Sequence, residues 1–201
     1  MESAINFLAH ALLAGNIEAD RVGGVLGDFV KGPLPAGLPP ELASGVALHR
    51  AIDSFAERHP AFVSSLQRVG AKRRRVGGVL VDLFYYHLLA RDWADYASGI
   101  LEDYAQEVYV SLSEYHECLP DSAREMSRLM HQQNWLCAYR DLSSLGRVID
   151  RMSVYRFRRE NPLAGGIEEF LADADGFASD FRSFMPDALD FAACWRAERG
   201  K

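Results

Sequence analysis

Apolar residues recur every three or four positions along nearly the whole chain, and no segment alternates convincingly in the two-residue rhythm of a half-buried strand. That period commits the chain to helices, which reach stability by burying their apolar stripes against one another. Punctuation sets the boundaries. Residues 6–14 read as a short apolar helix closed by Gly15, and residues 17–30 as a second, loosened by Gly23, Gly24 and Gly27. "KGPLPAGLPP", residues 31–40, is the clearest loop, and its last proline suits the first turn of a helix over 41–58. Further helices are expected over 61–69, over 75–92, from a Ser98 cap to about Cys118, over 121–140 and over 142–156. A second loop, "RENPLAGG", precedes helices over 167–184 and 187–199. There is no internal repeat, and 201 residues, 49% of them hydrophobic, supply one ordinary core. The expectation is an all-α chain, a single helical-bundle domain over residues 1–201.

A formal net charge of -6 argues against general nucleic-acid binding, and no stretch approaches the roughly 20 apolar residues of a membrane span. The opening "MESAINFLAHALLAG" lacks a basic run, so it reads as a first core helix and not as a signal peptide. Cys118, Cys137 and Cys194 are odd in number and far apart, which gives neither a metal spacing nor a disulfide framework and points to a reducing cytoplasm. The charge is uneven, however. Lys72, Arg73, Arg74 and Arg75 form one basic cluster, and Arg156, Arg158 and Arg159 another. Each reads either as a docking place for an anionic partner or as a solvated helix end.

Chemistry is sought where polar residues interrupt apolar faces. At about 100° per residue, Leu42, Val46, His49, Asp53 and Ala56 share one helical face. A carboxylate is rarely buried without a partner or a metal. His49 and Asp53 are therefore either a hydrogen-bonded pair tying helices together or part of a ligand set. Asp28 falls near a helix C-terminus, where the macrodipole disfavours it, beside glycines that admit a backbone or a ligand. His10 lies in an almost wholly apolar helix, one turn after Asn6. His87 belongs to an inward stripe with Val76, Val79, Leu80, Leu83 and Ala90. Asp82 lies roughly 140° around from His87 and shares its face with Tyr86, so Asp82 and His87 alone cannot grip one ion. Carboxylates and imidazoles without thiolates suit Mn²⁺, Mg²⁺ or Fe²⁺ better than structural zinc, and their spread over separate helices fits a metal-dependent phosphohydrolase. His59, His116 and His131 read as loop or surface residues without a role.

"NFLAH", "GDFVKG", "LHRAIDSFAERHP", "VDLFYYHLLARDW" and "NWLCAY" occur in an order that resembles acyl carrier protein phosphodiesterases, over about residues 4–152. That family is related to the HD-type metal-dependent phosphohydrolases, so the resemblance implies an HD-like all-α architecture. It also implies a reaction: hydrolysis of the phosphodiester joining 4'-phosphopantetheine to holo acyl carrier protein, supported by Mn²⁺ and leaving apo carrier. The motif residues carry over as Asp28 from "DFVKG", as His49, Arg50 and Asp53 from "HRxID", and as Asp82 and His87 from "D-x-x-x-D-H". Two departures stand out. Gly23-Gly24 stands where the family has Gly-Asn, and Tyr86 stands where it has an Asp. The implied metal centre is Asp28, His49, Asp53, Asp82 and His87, with Asp28 catalytic and His10 or His87 protonating the leaving serine oxygen. Residues 72–75 would then steer the acidic carrier. Two other readings fit the same residues: an HD-like hydrolase of a nucleotide or another phosphodiester, and a carrier-binding helical protein whose metal site has decayed, with Tyr86 as its mark.

Overall fold

The computed structural model describes residues 6–155 and 161–199, so the arginine cluster at 156, 158 and 159 lies outside the described residues. Within them the chain is all helical, with no strand. Helix α1 (Phe7–Leu13) starts at Asn6, whose side chain accepts the Ala9 N–H. Helix α2 (Glu18–Leu26) tightens into a 3₁₀ turn, Gly27–Phe29. Helix α3 (Pro40–Ala56) opens on its proline, and α4 (Pro60–Arg68) does the same behind a His59 cap. A 3₁₀ stretch, Ala71–Val76, leads into α5 (Gly77–Arg91). The remaining helices are α6 (Leu101–Glu114), α7 (Asp121–Gln132), α8 (Trp135–Ala138), α9 (Leu142–Tyr155), α10 (Ile167–Ala172) and α11 (Ala174–Arg199).

Helix α5 is buried on every side. Leu80, Val81 and all residues from Leu83 to Ala90 are inside, and α1, α4, α9 and α11 pack around it. A helix apolar all round belongs at the centre of a bundle, and it carries little amphipathic signal. The buried side chains form one contiguous core.

The closest helix pair is α2 against α3, and glycine makes the approach. A Cβ on Gly23 would lie 2.6 Å from the Gly45 Cα, and one on Gly45 would lie 2.8 Å from the Asp20 carbonyl oxygen. The two helices touch backbone to backbone there, where any side chain would force them apart. At the far end of the chain, Arg199 clasps the buried Asp20 carboxylate with two bonds of 2.7 Å, and Arg196 donates to the Leu13 carbonyl. The last turn of α11 thereby locks the α1–α2 junction. No helix among the described residues is long and apolar enough to cross a membrane.

The structure redraws several expected boundaries. The helix expected over 121–140 breaks at Asn134, whose φ is 47°. Tertiary bonds hold the break: the Tyr109 hydroxyl donates to the Asn134 side chain at 3.2 Å and accepts the Leu136 N–H at 2.9 Å. Pro186 does not divide the last helix. Phe181, Phe184, Met185 and Ala188 are buried around it, and their packing outweighs the hydrogen bond that proline forfeits. The interruption falls instead at Asp173, whose carboxylate accepts the Gly176 N–H and pairs with Arg68. Helix α6 begins at Leu101, past the expected Ser98 cap.

Candidate metal centre at the glycine crossing

The close approach of α1, α2 and α3 gathers polar side chains that the sequence scatters over more than forty positions. His49 comes from α3 and lies flat against the Gly27 backbone. A Cβ on Gly27 would stand 2.1 Å from a ring carbon, so only glycine fits there. The His49 Nδ1–H donates to the Gly24 carbonyl at 2.7 Å, which fixes the ring and leaves Nε2 facing two carboxylates. Nε2 is 3.3 Å from Asp53 Oδ2 and 3.9 Å from Asp28 Oδ1. The second Asp53 oxygen, Oδ1, lies 3.3 Å from Nε2 of His10. The two imidazoles stack at 3.7 Å with an interplanar angle of 21°.

Ligand atoms of His10, His49 and Asp53 all fall within 4.8 Å of one another. The set is two imidazoles and one carboxylate with no thiolate, which fits a divalent first-row ion. His10 also carries a buried Nδ1 with no hydrogen-bond partner among the described residues.

The electrostatics of the group are asymmetric. Burial lowers the pKa of His10, the neighbouring His49 lowers it further, and Asp53 recovers only part. Burial is also the largest single influence on His49 and acts downward. The hydrogen bond to Asp53, the charges of Asp53 and Asp28 and the Gly24 carbonyl together overcome it, so the His49 pKa is raised. Burial would raise the pKa of Asp53, but the two histidines hold it well below the carboxylate range. Stacked rings resist carrying two positive charges, and of the pair His49 is the one that takes the proton.

Asp82 and His87 are not among these three ligands. The Asp82 backbone carbonyl accepts from the Asn6 side chain at 3.4 Å, one turn before His10. The His87 Nδ1–H donates to the Tyr139 carbonyl at 2.8 Å, and its ring stands edge-on to Phe170. Burial lowers the His87 pKa. The Tyr86 ring lies 4.4 Å from that of Tyr139, and its hydroxyl is 3.4 Å from the Trp135 carbonyl. Tyr86 therefore looks toward α8 and aromatic neighbours. Conversely, His10, outside the metal set that the resemblance implies, stands in the three-ligand group. Its signal was present: an i, i+4 pair with Asn6, on a helix packed so near α2 that a Cβ on Gly24 would stand 2.9 Å from the His10 carbonyl oxygen.

The basic cluster also divides. Arg73 is 8% exposed, bonded to Glu169 at 3.0 Å and to the Ala164 carbonyl at 3.1 Å. It ties its 3₁₀ stretch to α10 and is not offered to a partner, whereas Lys72, Arg74 and Arg75 are exposed.

Residues 5–188 match the family model described as acyl carrier protein phosphodiesterase. Curated proteins of that name are similar over nearly their full lengths. The one from Photorhabdus laumondii is 25% identical, covering 92% of this chain and 96% of the relative. The one from Escherichia coli O6:H1 is 28% identical, covering 94% and 98%. The one from Escherichia coli O139:H28 is 29% identical, covering 90% and 94%. No solved structure matches the chain.

Proposed function

The chain belongs to the acyl carrier protein phosphodiesterase family, and from that membership we propose that it hydrolyses the phosphodiester between 4'-phosphopantetheine and the serine of holo acyl carrier protein, releasing apo carrier. The observation that carries the reading is the group of buried His10 and His49 with the half-buried Asp53, assembled inside the matched residues. We assign those three side chains to a divalent cation, Mn²⁺ first, with Mg²⁺ or Fe²⁺ as the other fits to a nitrogen and oxygen donor set. When bound, such an ion supplies charge neutralisation at the phosphodiester and acidifies water. The protein supplies the rest. Asp53 bridges both rings, the Gly24 carbonyl orients His49, and Gly27 lets the ring lie against the turn that carries Asp28. Asp28, beside His49, takes the proton of the attacking water and returns it to the serine oxygen as that bond to phosphorus breaks. His87, engaged with a backbone carbonyl, has no part in this scheme.

Lys72, Arg74 and Arg75 form the exposed surface that would steer a small acidic carrier, setting association rate and salt dependence more than affinity. A cytoplasmic setting is in keeping with three free cysteines. The test is to incubate the purified protein with holo carrier and Mn²⁺ and to weigh the carrier. Loss of the phosphopantetheine mass is the expected result. An unchanged mass with the carrier still bound would turn the proposal into a binding protein. Asp28→Ala should abolish turnover without unfolding the chain, and an active Asp28→Ala protein would remove Asp28 from the scheme.

A further inference from the structure

Arg50 is held in a way that its family motif does not explain. Its Nη2 donates to the Val30 carbonyl at 2.8 Å and its Nη1 to the Gly32 carbonyl at 2.9 Å. Both partners are neutral, so these bonds leave its charge uncancelled, whereas Arg68, Arg73 and Arg199 are each held by a carboxylate. The two carbonyls flank one residue, Lys31, which is exposed. Arg50 thus closes the backbone around Lys31 and leaves that side chain outside.

This clamp belongs to the metal centre by position. Arg50 precedes Asp53 by three residues on α3, a spacing that puts the two Cβ atoms about 5–6 Å apart. His49 and Arg50, consecutive on α3, grip the backbone on both sides of Asp28: at Gly24 before it, and at Val30 and Gly32 after it. Lys31 follows Asp28 by three residues, so their Cα atoms lie within about 11 Å even at full extension. Asp28 and Asp53 bring negative charge to a centre whose proposed substrate is an anion. A cation at the rim offsets that repulsion.

We propose that Lys31 is a substrate-binding residue whose ammonium pairs with the phosphate of the substrate arm, and that Arg50 is the positioning residue that presents it. The proposal rests on the phosphodiesterase reading for its substrate. Its test uses direct binding, so the two can fail separately. Free 4'-phosphopantetheine is titrated calorimetrically into the Mn²⁺-loaded protein, alongside carrier turnover. Lys31→Ala keeps both bonds of Arg50, because these reach backbone atoms. Loss of one charge-assisted bond predicts a rise of about tenfold in the phosphopantetheine Kd and in the carrier KM, with kcat, Mn²⁺ affinity and the melting temperature unchanged. Arg50→Lys, which keeps the charge but not the two-pronged grip, should weaken phosphopantetheine in the wild-type background and add nothing to Lys31→Ala. Additive effects would make Arg50 a structural residue only and overturn its positioning role. An unchanged phosphopantetheine Kd in Lys31→Ala overturns the assignment of Lys31, and so does a raised carrier KM alone, which would place Lys31 against the carrier protein. A wild-type protein that binds phosphopantetheine through Lys31 yet leaves holo carrier intact would sink the hydrolase reading and keep the anion site.

Discussion

Two histidines in apolar helices, His49 on α3 and His87 on α5, begin alike. Each is almost fully buried, and each donates Nδ1–H to a backbone carbonyl, His49 to Gly24 and His87 to Tyr139. They differ in what surrounds the rest of the ring. Around His49 stand His10, Asp53 and Asp28, delivered by helices that glycine has drawn together. Beside His87 stand Phe170 and, one residue back along α5, Tyr86 against Tyr139. The same carbonyl bond thus orients a candidate ligand in one place and holds a ring among aromatic neighbours in the other. A buried histidine becomes a candidate site only when side chains from other helices converge on its second nitrogen.

The contrast can be broken most severely at Asp53, which serves both rings. Asp53→Asn should weaken Mn²⁺ binding by more than about 100-fold, the upper range for removing a mere orienting partner, whereas His87→Leu should leave Mn²⁺ binding within about twofold. Calorimetric titration of both variants decides it, and equal losses would abolish the distinction between the two regions. Gly45→Val tests whether the crossing builds the centre. It should cost about 1–3 kcal/mol in urea unfolding through overpacking and also lower Mn²⁺ affinity; an unaffected affinity would show that the ligands do not need the backbone contact. Acid separates the regions by sign. The raised pKa of His49 means protons compete for its nitrogen already above pH 6.5, so Mn²⁺ affinity should fall by about tenfold per pH unit below that raised value. His87 has a lowered pKa, so the unfolded chain binds its proton first. Its contribution to stability is full above pH 6.5 and is lost as pH falls toward the folded value. His87→Leu should lessen the drop in urea midpoint between pH 7.5 and 5.5 and leave the metal profile alone. The smallest effect belongs to Tyr86→Phe, which forfeits one long bond to the Trp135 carbonyl. A loss under about 1 kcal/mol with unchanged Mn²⁺ affinity is expected, and a changed affinity would bring Tyr86 back to the metal.

Helical periodicity carried the fold class, and the proline start of α3 was legible because it leaves a local mark. The break at Asn134 was not, because a tyrosine on another helix enforces it. Pro186 misled for the converse reason: local chemistry favoured a stop, and tertiary packing overrode it. In the site, the i, i+4 spacing of His49 and Asp53 was readable on one helix, and the structure pairs them at 3.3 Å. The join with His10 was hidden in Gly24, Gly23 and Gly45, whose meaning depends on which backbone arrives opposite. Arg73 shows the limit of reading charge from composition, since a run of four basic residues contains one whose charge is consumed internally.

The clasp of Arg199 on Asp20 spans 179 positions in sequence. In equilibrium that distance matters little, since each doubling of a loop adds only about 0.6 kcal/mol to its closure. In time it matters more. At about 5–20 residues per second of synthesis, Asp20 waits roughly 10–40 s for its arginine. During that interval the helices that carry His10, His49 and Asp53 exist without their final fastening, and a buried carboxylate stands without its counter-charge. The ribosome therefore imposes an order on this protein: the residues that would hold the metal are made well before the arginine that secures their scaffold.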